Sequence, residues 1–510
     1  MPCGSVGAIR HTPYASVGIT SMMTLYGSPA YTRRFSTRLH RGTVTIPTDL
    51  LDRPFACACG RTHHIPTRQI TVGRGALDAL PEALAATGGP AHLLAISDAA
   101  TRATAWEKIS PRLRSLGVSV TEVVLPPGPH GPPFADEANR HRIQAAVRPD
   151  TDAILAIGSG TINDLAKVSS RTCGKPYLVC ATAPSMNGYP SGNASLLEGG
   201  LKVTRPAQAP TAILADLEIL TAAPLAMVRA GLGDLLSQQT ALADWRLSNL
   251  VEETYYCPAV ADLVAGTIQR AGEDADALNR REEAAVARLT EALILSGFTM
   301  VMAGQSAPAS GAEHLISHYW EMEAATKGRP EPLHGAQVGV TCILMADLMR
   351  RLADTVPRDL PGPSATLPDS WEEAEPTLAA RHGALWNVVR DEARAKHRGA
   401  SNRTKRFASL RERWDEIWAV LGPLCPESGF LREALRRAGA PTTPADLGLS
   451  AERVHHALLV AREIRSRYTV LDLAAEVGVL EGWAAEIAVR LAPDLPEDYP
   501  ARILRERVRE

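Results

Sequence analysis

The chain has few aromatic side chains, almost no net charge and no evident apolar run of the length a bilayer demands. Each shortage excludes something. Aromatics at 5%, beside plentiful Ala and Leu, turn the fold away from a β-sandwich and towards helices, which unbranched side chains form at little entropic cost. A formal net charge of -2 supplies no global field to draw nucleic acid or an anionic membrane, so neither partner is expected. Without a long apolar run, no membrane span is expected. The eight cysteines (3, 57, 59, 173, 180, 257, 342 and 425) are scattered through 510 residues and do not form a dense disulfide framework. A reducing compartment follows, and a cytoplasmic location is the expectation. The first 48 residues contain Arg10, Arg33, Arg34, Arg38 and Arg41 and no acid before Asp49, a composition shared by transit peptides and disordered extensions. The second reading is taken here, and residues 1–55 are expected to lack structure.

What is present is an alternation. QITVG precedes the helical GALDALPEAL, HLLAIS closes on Asp98, and VTEVVL, RHRIQAAV, AILAIG, TINDLAKVSS and PYLVCAT continue the rhythm. Residues 56–222 therefore predict an open, mostly parallel Rossmann-like α/β sheet covered by helices, with ligands gathered at the carboxyl ends of the strands. Beyond 222 the apolar residues recur at helical spacing, which predicts an all-helical domain over 223–510. The proline- and acid-rich run from Asp354 to Pro376 is expected to be a loop, and residues 354–415 an insertion. The basic stretch RDEARAKHRGASNRTKRFASLRERW within it is read as a solvated helix pair.

Two stretches carry candidate chemistry. In AILAIGSGTINDLAK an apolar strand runs into Gly158-Ser159-Gly160 and at once into a helix, whose bare N–H groups suit a phosphate. The third glycine of the common dinucleotide fingerprint is missing, and Asn163 stands in its place. In GAEHLISHYWEM, His314 and His318 lie one helical turn apart and address one point; His334 in LHGAQVGV and Asp234 in AGLGDLL are further metal-ligand candidates. Asp234 is read at the glycine-flanked start of its helix, where an acid is also favoured by the macrodipole alone. CACGRTHH, with Cys57, Cys59, His63 and His64, lacks the spacing of a common zinc module. It is read as turn residues ahead of the first strand, with a separate metal site as the alternative.

The segments CACGRTHHI, IGSGTINDLAK, ATAPSMNGYPS, ILADLEIL, AGLGDLL, PASGAEHLISHYWEM, LHGAQVGV and AREIRSRYTVLDL together resemble the iron-containing alcohol dehydrogenase and dehydroquinate synthase superfamily. Within it they are most similar to the bacterial sn-glycerol-1-phosphate dehydrogenases. The resemblance implies a dehydroquinate synthase-like fold and a cofactor held by Gly158, Ser159, Gly160, Thr161 and Asp164, with Thr182, Ser185 and Ser191 as further contacts. It also implies that Asp98 accepts hydrogen bonds from the adenine ribose, which favours NAD over NADP. Asp234, His314 and His334 would hold one divalent ion (zinc, nickel or iron), while His318, with Asp234, would serve catalysis by binding substrate or relaying its proton. The reaction implied is hydride transfer between NAD(P)H and a small phosphorylated ketone or polyol, dihydroxyacetone phosphate to sn-glycerol 1-phosphate, in a homo-oligomer.

Two departures qualify the substrate. Asn187 occupies a substrate-facing position where aspartate is expected in most glycerol-1-phosphate enzymes, and Ala336 stands where many superfamily members carry glutamate. Another polyol dehydrogenase, a dehydroquinate synthase-like lyase and a non-catalytic nucleotide binder are the alternatives.

Overall fold

A computed structural model of the chain describes residues 46–199, 201–363 and 368–491. Among the described residues ten strands occur in chain order: β1 (Phe55–Ala56), β2 (Thr62–His63), β3 (Gln69–Gly73), β4 (His92–Asp98), β5 (Ser119–Leu125), β6 (Ala153–Gly158), β7 (Tyr177–Ala181), β8 (Asn193–Glu198), β9 (Leu201–Pro206) and β10 (Ala212–Asp216). Six of them form one parallel sheet in the order β3-β10-β7-β6-β4-β5. Strands β6, β7 and β10 are buried at every residue, as a sheet covered on both faces requires, and this is why they read as continuous apolar runs. Leu93, Leu155, Leu178 and Leu214 share one face with Leu80, Ile109 and Leu113 of the covering helices. The strand order reverses between β4 and β6, so the crevice at that switch point opens beside Asp98 and Gly158, the last residues of those strands.

Among the described residues the other regular elements are helices, apart from β1–β2 and the hairpin β8–β9. Helices named below are α1 (Gly160–Cys173), α2 (Leu225–Glu252), α3 (Glu283–Ala303), α4 (Ala312–Thr326), α5 (His334–Ala353) and α6 (Val470–Glu476). Their core includes Trp320, Leu344, Met345, Trp414, Leu458 and Leu471.

Several expectations need correction. Order begins before residue 55: Ile46 and Leu51 are buried, and Leu51 bridges to Ile65. The remainder of the expected extension, residues 1–45, lies outside the described residues. Helix α3 does reach the length and hydropathy of a membrane span, but 78% of its apolar window is buried inside the protein, where a core helix belongs. The end of the proline-rich run is helical, since Trp371–His382 is capped by the Ser370 side chain and carries Pro376. Residues 354–415 also supply Leu360, Leu385, Val389, Leu410 and Trp414 to the helical core. The basic stretch does form two helices, Trp386–Lys396 and Ala400–Glu412. It is not simply solvated, because Lys396 is buried against Asp472, and Arg398 and Arg406 reach Glu252 and Glu476.

Candidate active site

Crossed helices create the site. A Cβ added to Gly233 of α2 would lie 2.1 Å from the Gly335 carbonyl oxygen, and one added to Gly335 of α5 would lie 2.0 Å from that of Ala230. Only paired glycines let the two backbones approach this closely. Asp234, next to one glycine, and His334, next to the other, are thereby brought together. Asp234 is the tenth residue of α2 and not its beginning, so the macrodipole does not explain a carboxylate buried at 1% exposure.

Asp234 Oδ2 accepts the Asn187 backbone N–H at 2.7 Å, whereas the buried Oδ1 has no hydrogen-bond partner. His314 Nε2 lies 3.6 Å from that oxygen, and its Nδ1 is 2.9 Å from Glu313 Oε1. Burial would lower the His314 pKa, but Asp234 and Glu313 on either side outweigh it and raise it to about 9. Burial likewise favours a neutral Glu313, yet His314 and the Gly311 N–H keep its pKa below the usual value. Glu313 is also fixed by the Thr240 hydroxyl at 2.9 Å.

His334 completes the group. Its ring centroid is 5.1 Å from that of His314 and 5.4 Å from that of His318, with which it stacks. Ser317 Oγ at 3.2 Å and Glu321 Oε1 at 3.1 Å engage Nδ1 and leave Nε2 for coordination. One ligand atom from each of Asp234, His314 and His334 lies within 4.8 Å of the others, and the same holds for His318, Glu321 and His334. The first trio fits a divalent ion better, because its carboxylate oxygen is orphaned, whereas Glu321 is already paired with Lys202 and His334. Burial and then the Lys202 charge hold the His318 pKa well below its ordinary value, so the ring is neutral.

The glycine turn faces this group across the loop from Thr182 to Ser191. Gly158 pairs with Ala181, and Thr182 N–H donates to the Gly158 carbonyl at 3.2 Å. Gly158 does not have positive φ; a Cβ there would strike Ile162 at 2.5 Å, so its absence lets α1 fold back tightly on the strand. Ser159 gives α1 no side-chain cap; its Oγ lies 2.5 Å from Ser185 Oγ, which leaves the amides of Gly160 and Thr161 at an uncapped helix start. The middle of the loop reaches the trio through Asn187, whose buried Nδ2 has no partner.

Three expected cofactor contacts are otherwise engaged. Asp164 accepts the Ser195 N–H at 3.0 Å and faces Lys167, tying α1 to β8. Ser191 Oγ receives Lys167 Nζ at 2.8 Å and points to the Gly188 and Asn193 carbonyls. Asp98 Oδ1 accepts the Thr101 N–H at 2.7 Å in a capping box, although it does stand at the crevice. Sequence reasoning missed Glu313, which directly precedes His314 in the chain, and Lys202 and Glu321, which meet only because the unforeseen hairpin β8–β9 packs on α4. Asp244, also unforeseen, accepts the Ala312 N–H at the start of α4 and the Val470 N–H at the start of α6, both at 2.7 Å.

In this chain a parallel sheet with a dinucleotide-type turn is followed by helices that bring one carboxylate and two imidazoles together, and the fold is that of the iron-containing alcohol dehydrogenases. Residues 71–224 match that family. The crystal structure of glycerol dehydrogenase from Schizosaccharomyces pombe superposes with a TM-score of 0.54 at 15% identity, covering 83% of this chain and 91% of that one. Sequence comparison narrows the class. The glycerol-1-phosphate dehydrogenase (NAD(P)+) of Halalkalibacterium halodurans is 34% identical over 81% of this chain and 94% of its own length. That of Bacillus licheniformis is 31% identical over 84% and 94%. The chain belongs to the glycerol-1-phosphate dehydrogenase family of NAD(P)-dependent oxidoreductases.

Proposed function

We propose that the chain interconverts dihydroxyacetone phosphate and sn-glycerol 1-phosphate. NAD(P)H would supply or accept the hydride, and a divalent ion, when bound, would polarise the C2 oxygen. The observation that carries this reading is the orphaned Asp234 Oδ1, buried 3.6 Å from His314 Nε2 in a chain whose relatives bear that name. Asp234, His314 and His334 would hold the ion, and their mixed oxygen and nitrogen donors suit zinc, nickel or iron(II). Gly158, Ser159, Gly160, Thr161, Thr182 and Ser185 would cradle the dinucleotide through backbone amides and hydroxyls.

His318, neutral and stacked on His334, is assigned the proton exchange with the substrate hydroxyl. Asn187 turns its unpartnered amide to the substrate, an assignment supported by its backbone bond to Asp234. Lys202, beside Glu321 and His318 with a side chain 25% exposed, is assigned to the phosphate. Asp98 would meet the adenine ribose and favour NAD. A cytoplasmic homo-oligomer is proposed with this activity; the described cysteines are free thiols, which supports a reducing compartment. Sedimentation of the purified chain tests the assembly.

The decisive experiment follows NADH oxidation with dihydroxyacetone phosphate against unphosphorylated dihydroxyacetone, with and without added zinc or nickel. Metal-dependent turnover that prefers the phosphorylated ketone is expected. His334→Ala should lower kcat by about a thousandfold, since the ion contributes several kcal/mol, while NADH still binds. Equal turnover in that variant discards the ligand set.

A further inference from the structure

Four side chains from segments far apart in sequence converge away from the trio described above. Cys57 and Cys59 lie in the turn between β1 and β2, His63 ends β2, and Cys257 stands at the N-cap of the helix Pro258–Glu273. Cys57 Sγ is 3.7 Å from Cys257 Sγ, and His63 Nε2 is 3.4 Å from Cys59 Sγ and 3.5 Å from Cys257 Sγ. All four donor atoms lie within 4.8 Å of one another. A tetrahedral zinc ion, with Zn–S near 2.3 Å and Zn–N near 2.05 Å, sets sulfur–sulfur edges of about 3.8 Å and sulfur–nitrogen edges of about 3.6 Å. The three separations match those edges to within about 0.2 Å. A disulfide would need its sulfurs about 2.05 Å apart.

The surroundings suit a metal as well. His63 is 1% exposed, and its Nδ1–H donates to the Met302 carbonyl at 2.8 Å; this fixes the tautomer and leaves the Nε2 lone pair towards the sulfurs. The Arg61 guanidinium sits 3.4 Å over the Tyr255 ring and places a positive charge beside the cluster.

We propose that Cys57, Cys59, His63 and Cys257 bind one zinc ion in a closed site that fastens the β1–β2 ribbon to the helix Pro258–Glu273, apart from the ion held by Asp234, His314 and His334. Three thiolates select a soft or borderline ion over magnesium or calcium. Four protein ligands leave no position for substrate, so the site stabilises the fold and takes no part in turnover. On binding, the thiol protons leave to solvent and no oxidant is consumed. His64, although in the same motif, lies outside the cluster and faces Asp52 at 3.7 Å.

The test loads the full reduced chain with cobalt(II) in place of zinc and records its absorption. Wild type should show thiolate-to-cobalt charge transfer and tetrahedral d–d bands. His334→Ala should keep both, and Cys257→Ser should lose the charge transfer together with one equivalent of bound metal. If Cys257→Ser fails to fold, the wild type answers alone: titrating its thiols with an organomercurial should release one equivalent of zinc. Cobalt bound without thiolate absorption, absorption that disappears in His334→Ala, titration that releases no zinc, or an intact mass showing a metal-free disulfide would each overturn the site.

Discussion

Gly233 and Gly335 touch through their backbones: a Cβ on the first would lie 2.1 Å from the carbonyl oxygen of the second. Asp234 and His334 meet because of this contact. Gly335→Ala should push α2 and α5 apart, lower stability by about 1–3 kcal/mol and weaken metal binding. Thermal unfolding and metal titration check both; an unchanged metal affinity would separate the glycine pair from the site.

Glu313 orients His314 by a 2.9 Å contact and makes no direct contribution to the trio. Glu313→Gln keeps the shape but loses the charge, and metal affinity should fall by about 10–100-fold. Competition against a chromogenic chelator gives the number.

Lys202 offers its ammonium group beside His318 and Glu321. Lys202→Ala should raise KM for dihydroxyacetone phosphate by about tenfold or more, equivalent to losing a charged hydrogen bond of about 1.5–3 kcal/mol. Turnover of unphosphorylated dihydroxyacetone should fall far less, by no more than the change at His318 and Glu321 causes. Parallel kinetics with the two ketones distinguish loss of phosphate binding from general damage.

Asp98 caps a helix and stands at the crevice, so its charge and its capping role can be tested separately. Asn caps as well as Asp. Asp98→Asn should therefore keep stability while raising the NADPH-to-NADH ratio of kcat/KM by about tenfold, through loss of repulsion against the 2′-phosphate. Initial rates with the two cofactors, beside a melting curve, check it.

Glu291 on α3 has its pKa raised to about 7 by burial, which outweighs the opposing Arg288 charge. A carboxyl that holds its proton more tightly when folded lends stability below its unfolded pKa of about 4.3, and that contribution is lost as pH rises towards 7. Glu291→Gln should remove this loss and stabilise the protein by about 1 kcal/mol at pH 8, discounted for solvent screening, with little effect at pH 4. Urea midpoints at the two pH values give the comparison.

The fold was largely legible because a sheet covered on both faces writes its strands as unbroken apolar runs, AILAIG above all. The pair His314 and His318 was legible because helical spacing puts both rings on one side of α4. Asp234 was found but misplaced: its neighbouring glycines looked like the opening of a helix, whereas they serve a crossing that depends on α5 more than a hundred residues later. Lys202 escaped because NASLLEGGLKVTRP alternates too weakly to announce a hairpin. Cys257 escaped for a plainer reason. It lies 194 residues from His63, and no local pattern links partners so distant.

The two amides held by Asp244 have a consequence for biosynthesis. One belongs to Ala312, at the root of the histidine-bearing helix, and the other to Val470, 226 residues downstream of the carboxylate. A ribosome therefore delivers the nucleotide sheet long before the residue that completes this clamp. A nascent chain stopped ahead of Val470 has its Rossmann half fully synthesised while the root of its histidine helix is still missing one of its two ties.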